Sequence, residues 1–230
     1  MNDSIEPIFI IGDVHGCYKT LLALIELFPN KQNSKICFVG DLINKGENSS
    51  DVLDFVIENN YDCVLGNHEL FMIEDLPLIL EDEEYIKKSP WVLNYGGDKT
   101  LQSYKNSSKL RTHLEYLNSL PLYLEYKNFI LNDRYLVVSH SQVENKWQYR
   151  DYPLNSKEYK NFKNTLLNVR NKKFDNKEIF NVFGHTPISK VEINEYKANI
   201  DLGCVYGITG NGLCALEFPS LKIFTQKNIE

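Results

Sequence analysis

The chain has 230 residues, 43% hydrophobic and 24% charged, which suits one large domain with a real core and carries no biased tract. Its net charge of -6 argues against a nucleic-acid backbone as partner, because neutralising phosphates takes a basic surface. No apolar run reaches the length of a membrane-spanning helix, and residues 1–11 lack a basic start and a cleavage site.

Five scattered cysteines (Cys17, Cys37, Cys63, Cys204, Cys214) include no C-x-x-C pair, which predicts reduced thiols and a cytoplasmic protein. Ile8 to Ile11 is an apolar run too short for a helix, bounded by Pro7 and Gly12, and reads as a strand. Tyr18 to Phe28 has a broad helical face, stopped by Pro29-Asn30. Ile36 to Val39 is a second strand, Ser50 caps a helix carrying Val52 to Ile57, and Asp62 to Leu65 is a third strand.

Asp13 and Asp41 are 28 positions apart, and Asp41 and Asn67 are 26 apart. Each interval is close to one βαβ unit of about 30 residues. The loops Gly12-Asp13-Val14-His15-Gly16, Gly40-Asp41-Leu42-Ile43-Asn44-Lys45-Gly46 and Gly66-Asn67-His68-Glu69 should therefore lie at the carboxyl ends of successive parallel strands.

From about 70 to 120 the spacing turns helical, with an acidic cluster at Glu81 to Glu84 and a loop from Trp91 to Thr100 centred on Gly96-Gly97. This stretch reads as a helical excursion within one domain spanning 1–230, since no linker composition marks its ends. The second half is richer in strands: Leu122 to Tyr126, Phe129 to Leu131, Tyr135 to Val138, Ile179 to Phe183, Ala198 to Ile200, Leu213 to Phe218 and Lys222 to Phe224. A helix from about Glu158 to Val169 interrupts them.

Four histidines, His15, His68, His140 and His185, follow apolar runs closely. Taken singly, each is more often a hydrogen-bonded loop residue than a ligand. Two Asp, one Asn and three His delivered to one sheet edge suit two adjacent manganese, iron or zinc ions better than a closed structural zinc site. Such a pair, roughly 3.5–4 Å apart, clamps the oxygens of an in-line displacement at phosphorus.

These loops, with Val138-Ser139-His140 and Phe183-Gly184-His185-Thr186-Pro187, resemble the phosphoprotein phosphatase family of calcineurin-like metallophosphoesterases. Trp91 to Thr100 and Asn199 to Gly207 resemble its bacterial branch, which includes the bacteriophage lambda phosphatase and the symmetrical diadenosine tetraphosphate hydrolases. The resemblance implies an α/β fold, a two-sheet β-sandwich flanked by helices in four α/β/β/α layers, with a helical insertion. It implies two divalent ions, most simply Mn2+. Asp13, His15 and Asp41 would bind the first and Asp41, Asn67, His140 and His185 the second, with Asp41 bridging.

Direct attack by a dimetal-activated hydroxide, with no phospho-enzyme, is the implied chemistry. His68 would be the general acid, with Asn44 beside it able to accept a hydrogen bond but lacking the charge by which an aspartate stabilises imidazolium. Lys45, Arg170 and Asn67 would hold the substrate phosphate, with Arg150 the alternative arginine. Asp201 reads as a turn residue or a support behind the ligands rather than a ligand, and His113 as a surface residue.

The chain departs from the family pattern where many members carry Asp and Arg, here Asn44 and Lys45, and where protein-directed members carry Arg, here Leu65. The leading expectation is a serine/threonine protein phosphatase. The alternative, toward which these departures lean, is a dinucleoside polyphosphate hydrolase of the bis(5'-nucleosyl)-tetraphosphatase type. A third reading, a phospho-binding pseudoenzyme, conflicts with the full set of ligand types and with His68.

Overall fold

A computed structural model describes residues 6–31, 34–105, 108–170, 174–209 and 211–230. The first sheet is built on β1 (Ile8–Ile11), β2 (Lys35–Phe38) and β3 (Asp62–Cys63), all parallel. β9 (Leu213–Phe218) and β10 (Lys222–Gln226) extend it antiparallel on the β1 side. The second sheet contains β4 (Tyr123–Leu131), β5 (Arg134–Ser139), β6 (Ile179–Phe183), β7 (Glu192–Ile193) and β8 (Lys197–Asn199), in the order β4-β5-β6-β8-β7.

Strand alternation explains how these sheets stack. Ile8 and Ile10 face one core together with Leu136, Val138, Phe180 and Val182 of the second sheet. Phe9 and Ile11 face a different core with Leu21, Leu24, Val52, Leu53 and Met72. Those partners come from α1 (Tyr18–Ile25), α2 (Ser49–Glu58) and α3 (Asn67–Glu81). On the far side, Val137 and Ile179 meet Trp147, Phe162 and Leu166, the last two on α7 (Lys157–Asn168). Three cores separate four layers, α/β/β/α. Because both faces of β1, β2 and β6 are covered, their sequences read as continuous apolar runs rather than alternating ones.

Between α3 and β4 run α4 (Pro90–Asn94), α5 (Gly97–Ser103) and α6 (Ser108–Ser119), the stretch with helical spacing; the loop expected over 91–100 shrinks to Tyr95 and Gly96, whose φ of 79° turns the chain between two helices. No helix among the described residues is long and apolar enough to cross a membrane.

Several local expectations need correcting. Ser50 caps nothing: α2 starts at Ser49 after Asn48, and the Ser49 hydroxyl instead accepts the Asn44 backbone N–H at 3.1 Å. β3 ends at Cys63, because Leu65 N turns away to bond Pro121 O at 2.8 Å. The two strands expected over 122–131 are one strand, β4, with a bulge between Tyr126 and Ile130. β7 had no signal because both of its residues are exposed. His113 is not at the surface: it is 2% exposed, with Tyr104 Oη 2.8 Å from Nδ1 and Asp54 Oδ1 3.1 Å from Nε2.

Candidate metal centre

Every parallel strand of both sheets releases a polar loop at its carboxyl end, and these loops meet at one edge. β1 delivers Asp13 and His15, β2 Asp41, and β3 Asn67 and His68. From the second sheet, β5 delivers His140, β6 His185 and β8 Asp201. All eight side chains are buried. His15, Asp41, Asn44, Lys45 and His185 have φ between 48° and 72°. That left-handed conformation is costly for residues with a Cβ and persists only where the surroundings enforce it.

Glu69 does the enforcing for the Asp41 loop, a role that sequence reasoning missed. Its fully buried carboxylate accepts N–H bonds from Asp41 (2.8 Å), Leu42 (2.8 Å), Ile43 (3.3 Å) and Gly66 (3.0 Å). Its position one residue after His68, at the start of α3, was the available signal.

Two groups of side chains bring their ligand atoms within 4.8 Å of one another: His15, Asp41 and His68, and Asp41, His140 and His185. Asp41 belongs to both. Asp13 stands outside both groups, its carboxylate accepting the His185 backbone N–H at 3.0 and 3.2 Å. Gly184 permits this approach, since a Cβ there would lie 1.9 Å from Asp13 Oδ1.

The second group fits a cation on its own hydrogen bonding. His140 Nδ1 faces the Val39 carbonyl at 2.9 Å, so Nδ1 carries the proton and Nε2 is a bare lone pair. That lone pair lies 2.9 Å from Asn67 Oδ1 and 2.9 Å from His185 Nδ1, which is itself 3.0 Å from Asn67 Oδ1. A proton on His185 Nδ1 serves at most part of this triangle. A divalent ion serves all three atoms. His15 repeats the pattern, its Nδ1 donating to Ile43 O at 2.8 Å and its Nε2 turned toward Asp41 Oδ2 at 3.5 Å.

Burial dominates the electrostatics. It pushes Asp13 well above the carboxylate range, reinforced by Asp201 and Asp41, and raises Asp41 to about 7 against the pull of Lys45. It lowers His15, His68 and His140, the last to about 3, which favours neutral rings and leaves His15 and His140 each a bare nitrogen toward the centre. Asp201 is 2% exposed, accepts Gly203 N–H at 2.8 Å and is raised to about 6 by burial. It closes a turn, as expected, and adds negative charge beside Asp13.

The positive groups are placed less evenly. Lys45 Nζ lies 3.1 Å from His15 Nε2 and 3.5 Å from Tyr206 Oη. Arg170 donates to the His185 carbonyl at 2.9 Å, and its charge acts on Asp41, His140 and His185. Arg150 instead lies over the Trp147 ring at 4.5 Å and donates to Trp147 O at 2.9 Å, engaged on the outer face of the second sheet.

Asn44 ties the 91–100 stretch to His68. Trp91 Nε1 and Thr100 Oγ1 donate to Asn44 Oδ1 at 2.9 and 2.7 Å. Indole N–H is a donor only, so the amide oxygen must face it and the amide nitrogen must face His68 Nδ1, 2.8 Å away. His68 Nδ1 is then an acceptor and the ring carries its proton on Nε2, the reverse of the expected bond in which Asn44 accepts, because the indole N–H claims the amide oxygen. Gly96 closes this wall: its φ is 79°, its carbonyl accepts the Lys45 N–H at 3.2 Å, and a Cβ there would lie 2.6 Å from Lys45 N.

Comparison with known proteins places the chain in a family. The family model described as calcineurin-like phosphoesterase matches residues 6–207. A symmetrical bis(5'-nucleosyl)-tetraphosphatase of Coxiella burnetii is 29% identical over 65% of this chain, a match spanning 46% of that protein. An asymmetrical bis(5'-nucleosyl)-tetraphosphatase of Oceanobacillus iheyensis is 26% identical over 91% of this chain and 88% of its own length.

Among solved structures, a protein provisionally named a diadenosine tetraphosphatase has a TM-score of 0.62 at 20% identity, covering 99% of this chain and 96% of that one. A protein serine/threonine phosphatase of Saccharomyces cerevisiae has a TM-score of 0.58 at 16% identity, covering 100% and 82%. These two likenesses establish the shared fold.

Proposed function

We propose that this chain, which belongs to the calcineurin-like phosphoesterase family, hydrolyses a phosphoanhydride bond of dinucleoside polyphosphates. The whole of 1–230 acts as one catalytic unit, in a cytoplasmic protein whose five cysteines are free and buried. Asp13, His15 and Asp41 would hold one divalent ion and Asp41, Asn67, His140 and His185 a second, with manganese the first choice. Bound there, the ions supply Lewis acidity and water of lowered pKa.

The protein's own groups do the rest. Val39 and Ile43 carbonyls fix the proton-bearing nitrogens of His140 and His15, so their other nitrogens face the centre. Glu69 holds the Asp41 loop in its strained form. Arg170, Lys45 and Asn67 receive the charged oxygens of the reacting phosphate. Water oxygen bonds to phosphorus and gives up its proton to solvent, the anhydride P–O bond breaks, and the leaving nucleotide departs with the electron pair as His68 Nε2–H hydrogen-bonds its oxygen.

One observation carries the choice of substrate class: the amide of Asn44 donates to His68 Nδ1. A neutral imidazole so held stabilises a departing oxygen by hydrogen bonding but is a far weaker acid than imidazolium. A phosphate leaving group, whose second pKa is about 6, departs without needing a proton. A serine alkoxide is a strong base and needs one. The site therefore matches an anhydride better than a phosphoserine ester. The tetraphosphatase names of the two sequence relatives support the same reading.

The test is side-by-side turnover of diadenosine tetraphosphate and a phosphoserine peptide with added manganese. The expected result is a kcat/KM at least about a hundredfold higher for the dinucleotide, with the nucleotide products showing whether cleavage is symmetrical. Faster release of phosphate from the peptide would restore the protein phosphatase reading. No turnover of any phosphoester, with two metals bound, would restore the pseudoenzyme.

A further inference from the structure

Beside His68 the protein builds an aromatic stack that neither the metal centre nor the core uses fully. Phe71 lies three residues beyond His68 on α3 and so on the same face. Tyr95 stacks on Phe71 with ring centroids 4.0 Å apart and planes within 16°. Both rings stand edge-on to the His68 imidazole, at 5.6 Å and 76° for Phe71 and 6.4 Å and 89° for Tyr95. His68 is 5% exposed, whereas Tyr95 is 39% exposed. One step from the proton-donating histidine, the wall of the site becomes an outward-facing aromatic surface.

This surface is held in place. Tyr95 ends α4, and its N–H bonds Trp91 O at 3.2 Å, while Trp91 is anchored to Asn44. The next residue, Gly96, accepts the Lys45 N–H. Both flanks of Tyr95 are thus tied to the Asp41–Lys45 loop. Tyr206, the other exposed tyrosine bordering the centre, has Lys45 Nζ 5.5 Å over its ring.

We infer that Tyr95, backed by Phe71, is the platform on which the base of the leaving nucleotide stacks. The inference rests on the dinucleoside polyphosphate reading. The leaving oxygen sits at His68 Nε2, so the nucleotide that departs with it lies along the His68 wall, where Tyr95 is. A purine offers a flat π-face to a ring already supported from behind, and stacking of this kind contributes to binding without selecting one base by hydrogen bonds.

ADP and inorganic pyrophosphate share a diphosphate and differ by the nucleoside, so their affinities report the nucleoside and the Tyr95 variants report its stacking. Calorimetry on the full chain with saturating manganese should show ADP bound about tenfold more tightly than pyrophosphate. Tyr95→Ala should reduce that preference to near unity, and Tyr95→Phe should keep it. Tyr95→Leu, which still covers Phe71, should lose it and carries the test if the alanine variant does not fold. An unchanged preference in Tyr95→Ala or Tyr95→Leu, or its loss in Tyr95→Phe, overturns the platform. If diadenosine tetraphosphate is not turned over but the preference still collapses in Tyr95→Ala, the substrate reading falls and nucleotide stacking stands.

Discussion

The Asn44 side-chain nitrogen lies 2.8 Å from His68 Nδ1 in an amide that cannot turn round, because Trp91 offers only a donor to its other end. An aspartate at position 44 would instead accept from His68 Nδ1–H and favour imidazolium. Asn44→Asp should therefore gain about tenfold in kcat on phosphoserine or phenyl phosphate relative to diadenosine tetraphosphate, one pKa unit being about 1.4 kcal/mol. Imidazolium in the variant should add an alkaline limb where it loses its proton, a limb that the neutral His68 of the parent does not contribute. Superimposable profiles for the two proteins in excess metal would sink this account of Asn44.

Lys45 Nζ donates toward the same His15 lone pair that a metal ion would use. One lone pair cannot serve both. Lys45→Met should tighten manganese binding by about tenfold, through loss of this competition and of a nearby positive charge. Calorimetric titration reads it directly, and the same variant should lose kcat/KM through its missing phosphate contact. Unchanged metal affinity would mean that the ammonium yields without cost.

Glu69 is the acceptor for four backbone N–H groups of two loops. Glu69→Gln places an NH2 group against some of those donors. The expected cost is about 3 kcal/mol of unfolding free energy, the range for breaking a buried charged network. Denaturant unfolding of the metal-free proteins measures it. Metal content should fall as well, since Asp41 N is one of the four.

Gly184→Ala tests the approach of β6 to Asp13. Its Cβ would lie 1.9 Å from Asp13 Oδ1 and 2.9 Å from Val39 Cγ2, so the carboxylate must move. The variant should retain its circular dichroism yet bind fewer than two manganese ions per chain by elemental analysis. Full metal occupancy would remove Asp13 from the ligand set.

His113 supplies a pH dependence separable from the metal centre. Burial lowers its pKa below 6.5, with Asp54 pulling the other way. The unfolded chain then takes up a proton that the folded protein resists, so stability present above about pH 6.5 is lost as pH falls below it. The contribution is at most about 1.4 kcal/mol per pH unit over that window. In His113→Gln, the acid limb of stability against pH should be shallower than in the parent under identical conditions. Parallel limbs would show that His113 titrates normally.

The metal loops were legible in the chain because short apolar runs ending in Gly-Asp, Gly-Asn-His or Gly-His mark where a two-sided buried strand meets water. The spacing of about 30 residues between them placed their ends on one edge. Glu69, by contrast, sits in the same motif as His68 without declaring its partners, because backbone donors from other loops leave no trace in sequence. His113 looked solvated because a helical pattern does not say which neighbouring helix will cover a polar position.

What the sequence determined by itself was the kind of chemistry: which side chains reach the edge, and that two Asp, one Asn and three His converge there. Tertiary structure decided the direction of each hydrogen bond. Only the approach of Trp91 from the helical excursion, 47 residues beyond Asn44, orients the amide that sets the proton on His68. Only the packing of Tyr95 on Phe71 leaves an aromatic face beside it. Ligand types follow from residue identity and strand register, which are local, whereas proton positions and substrate shape follow from contacts between segments far apart in the chain.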